Sequence, residues 1–223
     1  MNICYLMTSS LLLLFSASSG VTAQGDSSLG MVDEMPGPSS ETAETSKSSR
    51  YFDIYVGNKR IGSYEATMTR RGNTTEYRAK SETVVRIIGE IRIGYDLVCT
   101  YENDILVKSR VRSYRNGNLK SETIVNWTGT HYLINKDGDK STAKTPVTMS
   151  SIKLYFEGPP KELKQIFSER EGRMKQVRNV EDQQYLVADA GKNRGTEFVY
   201  NNARLEEVNI AFTLGSFSLV NPR

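Results

Sequence analysis

The chain has 223 residues, 38% of them hydrophobic and 25% charged, and its 29 basic and 26 acidic side chains leave a net charge of +3. One histidine and two cysteines are too few for a zinc site, which needs three or four such ligands, so we expect no metal and no cofactor. Nucleic-acid binding needs a basic stripe interleaved with stacking aromatic residues, and the export predicted below argues against it.

Residues 1–23 have the pattern of a secretory signal peptide. The apolar run 11–15 is followed by Val21-Thr22-Ala23, which places small residues at the −3 and −1 positions of a cleavage site. The run is too short for a membrane span of about 20 residues. No basic residue precedes it, so an uncleaved anchor stays the main alternative. We expect a periplasmic or secreted protein that is soluble after cleavage.

Residues 24–50 are rich in Ser, Thr, Gly, Pro and Glu and contain almost no large apolar side chains. Such a segment buries too little surface to offset its ordering entropy, so it is predicted to be a disordered tether. It holds five carboxylates, so the basic surplus lies in the remaining domain, residues 51–223, where it favours anionic surfaces.

From Tyr51 onward apolar and polar residues alternate, as in strands. Short Gly-, Asn- and Asp-rich turns at 57–59, 102–104, 116–118 and 136–139 interrupt the alternation and force antiparallel neighbours. We predict a mainly β fold: an antiparallel open half-barrel of about ten strands, with one or two short helices packed on its concave face. Cys99 lies at an apolar position of this alternation and is predicted to be a buried, inert thiol.

Residues 150–172 break the alternation. Ile152, Tyr155 and Phe156 have helical spacing, Pro159-Pro160 ends that unit, and similar spacing follows. The pattern predicts two short helices, or one helix and a strand from Ile166. The segment is interpreted as a plug that packs in the core or as a mobile lid over a ligand cavity. Candidate ligand-binding residues are Ile152, Tyr155, Phe156, Phe167 and Tyr95.

Candidate catalytic groups are sparse, and no catalytic residue is assigned. His131 is the one histidine, so any Ser-His-Asp or Cys-His arrangement would have to use it; a solvent-facing role is expected. Glu157, Glu169 and Glu171 lie beside the break in the pattern, but a catalytic carboxylate pair cannot be chosen without geometry. We therefore expect a protein that is not an enzyme.

A basic stripe, Lys108, Arg110 and Arg112, lies along one face of a predicted strand. It has two interpretations: a site for an anionic headgroup or glycan, or a solvent face balanced across strands by acidic residues. The acidic residues are Asp96, Glu102 and Glu122. An integral membrane barrel is not expected, because hydroxyl side chains interrupt the apolar band that its outer face needs.

Several short stretches resemble domain-of-unknown-function family 6134, small exported proteins of Gram-negative bacteria. They are Leu154-Tyr155-Phe156 with Pro159, Phe167-Ser168-Glu169, Gly172, and Phe198-Val199-Tyr200-Asn201. The resemblance implies a β-rich periplasmic domain with no established activity. Ala203 departs from the Gly expected after the Asn pair, which puts the turn type in doubt. More distantly, the architecture is similar to lipoprotein-carrier half-barrels, whose concave face holds acyl chains under a helical lid; this analogy implies a fold and no function.

Two function hypotheses follow from these patterns. The first is a binding module that holds an apolar or lipid-like small molecule in a cavity beneath residues 150–168. The second is a structural or interaction protein of the cell envelope, with an envelope protein as partner and a filled core.

Overall fold

A computed structural model describes residues 44–86, 89–212 and 215–222. The predicted signal peptide and most of the predicted tether lie outside these residues. The first strand nevertheless begins at Thr45, so the boundary predicted at 51 is too late. Thr45 to Arg50 pair in register with Arg71 to Ala66 of the next strand, and this pairing orders a polar segment that composition alone marks as a tether.

The described residues form one antiparallel sheet of fourteen strands, which confirms the mainly β fold class. Among the same residues, no helix is long and apolar enough to span a membrane. The strands are β1 (Thr45–Val56), β2 (Lys59–Arg71), β3 (Thr74–Arg86), β4 (Glu90–Glu102), β5 (Ile105–Arg115), β6 (Asn118–Trp127), β7 (Tyr132–Lys136), β8 (Asp139–Ala143), β9 (Gln165–Ser168), β10 (Arg173–Glu181), β11 (Gln184–Ala188), β12 (Gly195–Asn201), β13 (Arg204–Phe212) and β14 (Gly215–Val220).

The strand count, fourteen, is higher than the predicted number of about ten, and two of the strands lack the signal that periodicity detects. β8, Asp139–Ala143, has no large apolar residue and is exposed over most of its length. β9, Gln165–Ser168, lies inside the non-alternating insert. The insert therefore contains a single 3-10 helix, Lys153–Tyr155, followed by a strand, which is the second of the two predicted arrangements.

The sheet runs in the order β8-β7-β6-β5-β4-β3-β2-β1-β14-β13-β12-β11-β10-β9, and it curls so that the turn after β9 contacts β6 and β7. Register shifts interrupt five of the hairpins, and such bulges bend and twist the strands that carry them. The turn after β9 then reaches β6 and β7: Thr123 Oγ1 donates to the Arg170 carbonyl at 2.8 Å, and Lys136 Nζ lies 2.5 Å from Glu171 Oε2.

One apolar core fills the inside of the curled sheet. Phe52, Tyr77, Tyr101 and Tyr132 come from β1, β3, β4 and β7 and are almost fully buried. Cys99 is a free, buried cysteine, as predicted, and burial raises the pKa of its thiol well above the usual range. The inner face is therefore lined with aromatic rings and offers a surface for a segment that crosses the interior.

Candidate functional site

Residues 147–157, here called the plug, cross the inside of the curled sheet. The Leu106 N–H donates to the Val147 carbonyl at 2.9 Å, and the Val147 N–H donates to the Tyr132 hydroxyl at 2.9 Å. Further along, the Ser151 N–H donates to the Phe167 carbonyl at 2.9 Å. The plug is thus bonded to β5, β7 and β9, which lie in different parts of the sheet.

A buried carboxyl group holds the centre of the plug. Glu169 is only 1% exposed, and its Oε1 accepts hydrogen bonds from Ser150 Oγ at 2.6 Å and from the Ile152 N–H at 3.1 Å. Tyr101 donates to Ser150 Oγ at 2.5 Å. Burial raises the pKa of the Glu169 carboxyl, while the hydrogen bonds from Ser150 and the backbone oppose that rise. This network fixes Ser150 and Ile152 against β4 and the turn after β9.

A buried cation also holds this region. Lys153 Nζ lies 2.5 Å from Asp104 Oδ1, donates to the Thr148 carbonyl at 2.8 Å, and sits 4.7 Å from the centroid of the Tyr101 ring. An ammonium group that is nearly buried needs such partners, because desolvating an unpaired charge is costly. Lys153 therefore belongs to the support of the plug and not to an open site.

The outer end of the plug consists of aromatic side chains. Tyr155 stacks on Tyr64 with ring centroids 4.9 Å apart and meets Phe52 and Phe198 edge-on at 5.7 and 5.8 Å. Phe156 lies 5.6 Å from the Tyr77 ring. Burial raises the pKa of the Tyr155 hydroxyl well above its usual range. The phenol therefore stays neutral at physiological pH.

A groove of about 530 Å³ opens beside the outer end of the plug, at Leu154, Tyr155 and Phe156. We call it the mouth groove. Its wall is formed on one side by the plug and on the other by β1, by the hairpin between β12 and β13, and by the residues after β14. The residues around it include Leu154, Tyr155, Phe156, Tyr200, Leu205, Arg50 and Arg204. Leu154 and Leu205 are 0% and 3% exposed, so the accessible apolar surface comes from Phe156 and the edges of the two tyrosine rings. Tyr200 donates its hydroxyl to the Leu154 carbonyl at 2.7 Å, which ties the two walls together.

The predicted ligand-binding residues separate into two groups. Tyr155 and Phe156 line the mouth groove. Ile152 and Phe167 are each 1% exposed, belong to the core and do not line the groove. Tyr95 is partly buried against the core but does not line the groove.

Sequence reasoning missed Arg50, which it placed in the tether. In the structure Arg50 pairs with Ala66 of β2, on the same inner face as Phe52. A signal was present: Ala66 and Met68 continue the inward alternation of β2 beyond Tyr64, so they need a neighbouring strand. Leu205 and Tyr200 were missed because their hairpin meets the plug only in three dimensions.

The basic stripe lies on the outer face. Arg112 Nε lies 2.8 Å from Glu122 Oε1, and Arg110 Nε lies 3.5 Å from the same oxygen, whereas Lys108 is opposite Thr100 and Asn126. Of the predicted acidic partners, Glu122 therefore balances two of the three cations. The stripe does not join the mouth groove.

The remaining titratable candidates have separate partners. His131 Nδ1 lies 3.1 and 3.0 Å from the hydroxyls of Thr128 and Thr130 in an exposed turn. Glu157 accepts a hydrogen bond from Tyr77 at 3.2 Å, Glu171 is paired with Lys136, and Glu169 is in the core. No cluster of three or more His, Cys, Asp or Glu side chains that could hold a metal occurs among the residues the structure describes.

Comparison with known proteins identifies a family. A family described as Domain of unknown function (DUF6134) matches residues 52–220. The solved structure of a beta-barrel-like protein of domain of unknown function DUF1849 from Brucella abortus is similar, with 10% identity, 78% of this chain and 95% of that chain covered, and a TM-score of 0.46. None of the curated proteins matches this chain. The match to the family confirms the resemblance seen in the sequence, and the chain belongs to the DUF6134 family.

Proposed function

We propose that the domain is a non-catalytic binding module and that an apolar or lipid-like small molecule binds in the mouth groove. The observation that supports this proposal most directly is the groove itself. Its volume of about 530 Å³ falls in the range of about 300–1,000 Å³ that is usual for small-molecule sites. Its accessible apolar surface comes from Phe156 and from the edges of Tyr155 and Tyr200.

The support beneath the groove favours a preformed site. Tyr155 is fixed by three rings, and the backbone before it is fixed by Tyr200 and by Glu169. A site whose walls are already ordered loses little conformational entropy when a ligand binds. The ligand thus gains apolar contact without first having to open the core.

A fluorescent dye tests this proposal. N-phenyl-1-naphthylamine is neutral and brightens in apolar surroundings, so we expect saturable fluorescence with the wild-type chain. Phe156→Ala removes one wall and is expected to weaken dye binding about tenfold, which corresponds to roughly 1–2 kcal/mol of lost apolar contact. Circular dichroism and thermal unfolding report whether the variant is folded.

The matched control is Leu133→Ala. Leu133 is 50% exposed and alternates with the buried Tyr132 and Ile134 of β7, so it faces outward. Dye binding by this variant should equal that of the wild type. Absence of saturable binding by the folded wild type, or an equal loss in both variants, contradicts the proposal.

A structural or interaction protein of the envelope is the second candidate. It is favoured by the filled core, in which Ile152, Leu154 and Phe167 are almost fully buried. This candidate predicts no dye binding and a reproducible partner in crosslinking experiments on intact cells. Dye binding that depends on Phe156 distinguishes the binding module from it.

Export is the proposed setting for either function, on the signal-like residues 1–23. Mass spectrometry of the mature protein from fractionated cells should give an amino terminus at Gln24 in the periplasmic or secreted fraction. A full-length product in the cytosol contradicts export and leaves the groove experiment unaffected.

A further inference from the structure

The charged side chains among the described residues that line the mouth groove are all basic. Two guanidinium groups line it, those of Arg50 and Arg204, together with the polar side chains of Ser49, Asn202 and Asn221. None of the described residues that line the groove is acidic. The partly exposed Phe156 ring beside two cations suits a ligand that carries both an apolar body and a negative charge.

Arg50 is the better placed of the two cations. Its side chain is partly buried on the inner face of β1, and its Cζ lies 5.7 Å from the centroid of the Phe156 ring. Nη1 donates to Ser48 Oγ at 3.3 Å and to the Ser49 carbonyl at 3.2 Å. No carboxylate of the described part of the chain forms an ion pair with Arg50.

Arg204 is already partly engaged. Its Nε lies 3.9 Å from Glu206 Oε1, and its Nη2 donates to Asn221 Oδ1 at 3.1 Å. Its side chain is largely exposed, so water screens its charge more than that of Arg50. An incoming anion would therefore gain most from Arg50, whose planar guanidinium offers several N–H donors in a fixed geometry.

We propose that the mouth groove binds a long-chain fatty acid, with its carboxylate on Arg50 and its acyl chain starting against the partly exposed Phe156 and the accessible edge of Tyr155. This inference rests on the proposed binding function and specifies the class of ligand. A single chain is chosen because the groove has the volume of a site for one small molecule. The carboxylate matches the paired N–H donors of one guanidinium.

The experiment measures displacement of N-phenyl-1-naphthylamine by oleate and by oleamide, each kept below the concentration at which it aggregates. The two molecules share the same chain, but oleamide is neutral. For the wild-type protein we expect oleate to bind about tenfold more tightly than oleamide, the usual effect of a charge-assisted hydrogen bond. Arg50→Gln should remove this difference by weakening oleate alone.

Arg110→Gln is the matched control, because Arg110 lies on the outer face of β5 and its loss changes the net charge equally. It should keep the preference for oleate. Equal affinity of the wild type for oleate and oleamide, or a preference that survives in Arg50→Gln, overturns the fatty-acid assignment while the binding function stands. The wild-type comparison requires no variant to fold.

Two further results are informative. Oleoyl lysophosphatidate that binds more tightly than oleate overturns the carboxylate assignment and points to a phosphate headgroup. Absence of binding by the dye and by both oleoyl compounds overturns the binding function and this inference together, so the two failures remain distinguishable.

Discussion

The two ends of the plug are held by different kinds of interaction. The inner end, through Leu154, is held by a buried carboxyl, a buried ammonium group, backbone hydrogen bonds to β5 and β9, and a hydrogen bond to the Tyr132 hydroxyl of β7. The outer end, Tyr155 and Phe156, has mainly ring contacts and borders the mouth groove. The same short segment thus contributes to the core and to the candidate site. The core contacts of its inner end fix the position of the residues that border the mouth groove.

The largest expected loss of stability comes from a substitution at the inner end of the plug. Leu154 is 0% exposed, and Leu154→Ala leaves a cavity that neighbouring rings cannot fill completely. We expect the free energy of unfolding in urea to fall by about 2–5 kcal/mol. Leu133→Ala, on the outer face, should cost less than about 1 kcal/mol. Equal losses would show that the inner end of the plug is not part of the core.

The pH dependence of the free energy of unfolding distinguishes Glu169, which holds the inner end of the plug, from Glu171, which is paired with Lys136. Burial raises the pKa of Glu169, so its contribution to stability is present below the carboxyl pKa of the unfolded chain, about 4.3, and is lost as pH rises through the folded value. We expect Glu169→Gln, which keeps an oxygen acceptor, to remove this loss. The measurement is the free energy of unfolding as a function of pH.

Glu171 provides a control of opposite sign. Its partial burial favours a higher pKa, but the hydrogen bond and charge of Lys136 outweigh that effect and lower it. Its contribution is therefore present above the unfolded pKa and is lost as pH falls through the folded value. Glu171→Gln should flatten the acid side of the profile. Parallel profiles for the two variants contradict the assigned environments.

The link between the two ends is tested by Tyr200→Phe. The hydroxyl of Tyr200 donates to the Leu154 carbonyl, which is buried with the plug. Its removal should lower the free energy of unfolding by about 1–2 kcal/mol, because an unpaired buried carbonyl keeps its desolvation cost. Tyr51→Phe, at a ring that is 56% exposed, should have no measurable effect. Equal stability of Tyr200→Phe and the wild type contradicts the role of this bond.

The smallest effect lies at the rim of the groove. Asn202 and Ala203 have φ angles of +48° and +65°, as in the tight hairpin turns that favour Asn-Gly. Ala203→Gly should therefore raise the free energy of unfolding by about 0.5–1 kcal/mol. Ala211→Gly, in the extended backbone of β13, should lower it. The same sign for both changes contradicts a strained turn.

Period-two alternation predicted the antiparallel sheet and the buried Cys99 because burial of one sheet face leaves that signature in nearly every strand. Strand β8 was not predicted because its residues are small or polar and mostly exposed. Glu169 was noted as a candidate carboxylate, but its buried role was not predicted, because its partners Ser150 and Ile152 are 19 and 17 residues away in the chain. The position of Arg50 in a strand was not predicted because its neighbours in sequence are polar, although its partner on β2 is apolar. Alternation reports which face a residue occupies, but not which distant side chains complete a site.

The order of the strands has a consequence for assembly. Strands β1 to β8 form one continuous arm of sequential hairpins and β9 to β14 form another, and the arms join in the sheet between β1 and β14. Asp53 to Tyr55 and Ser218 to Val220 make that seam, so its two sides are separated by most of the chain. The sheet therefore cannot become continuous until β14 has been synthesised. Such non-local pairing slows folding, and both arms expose an unpaired strand until the seam forms.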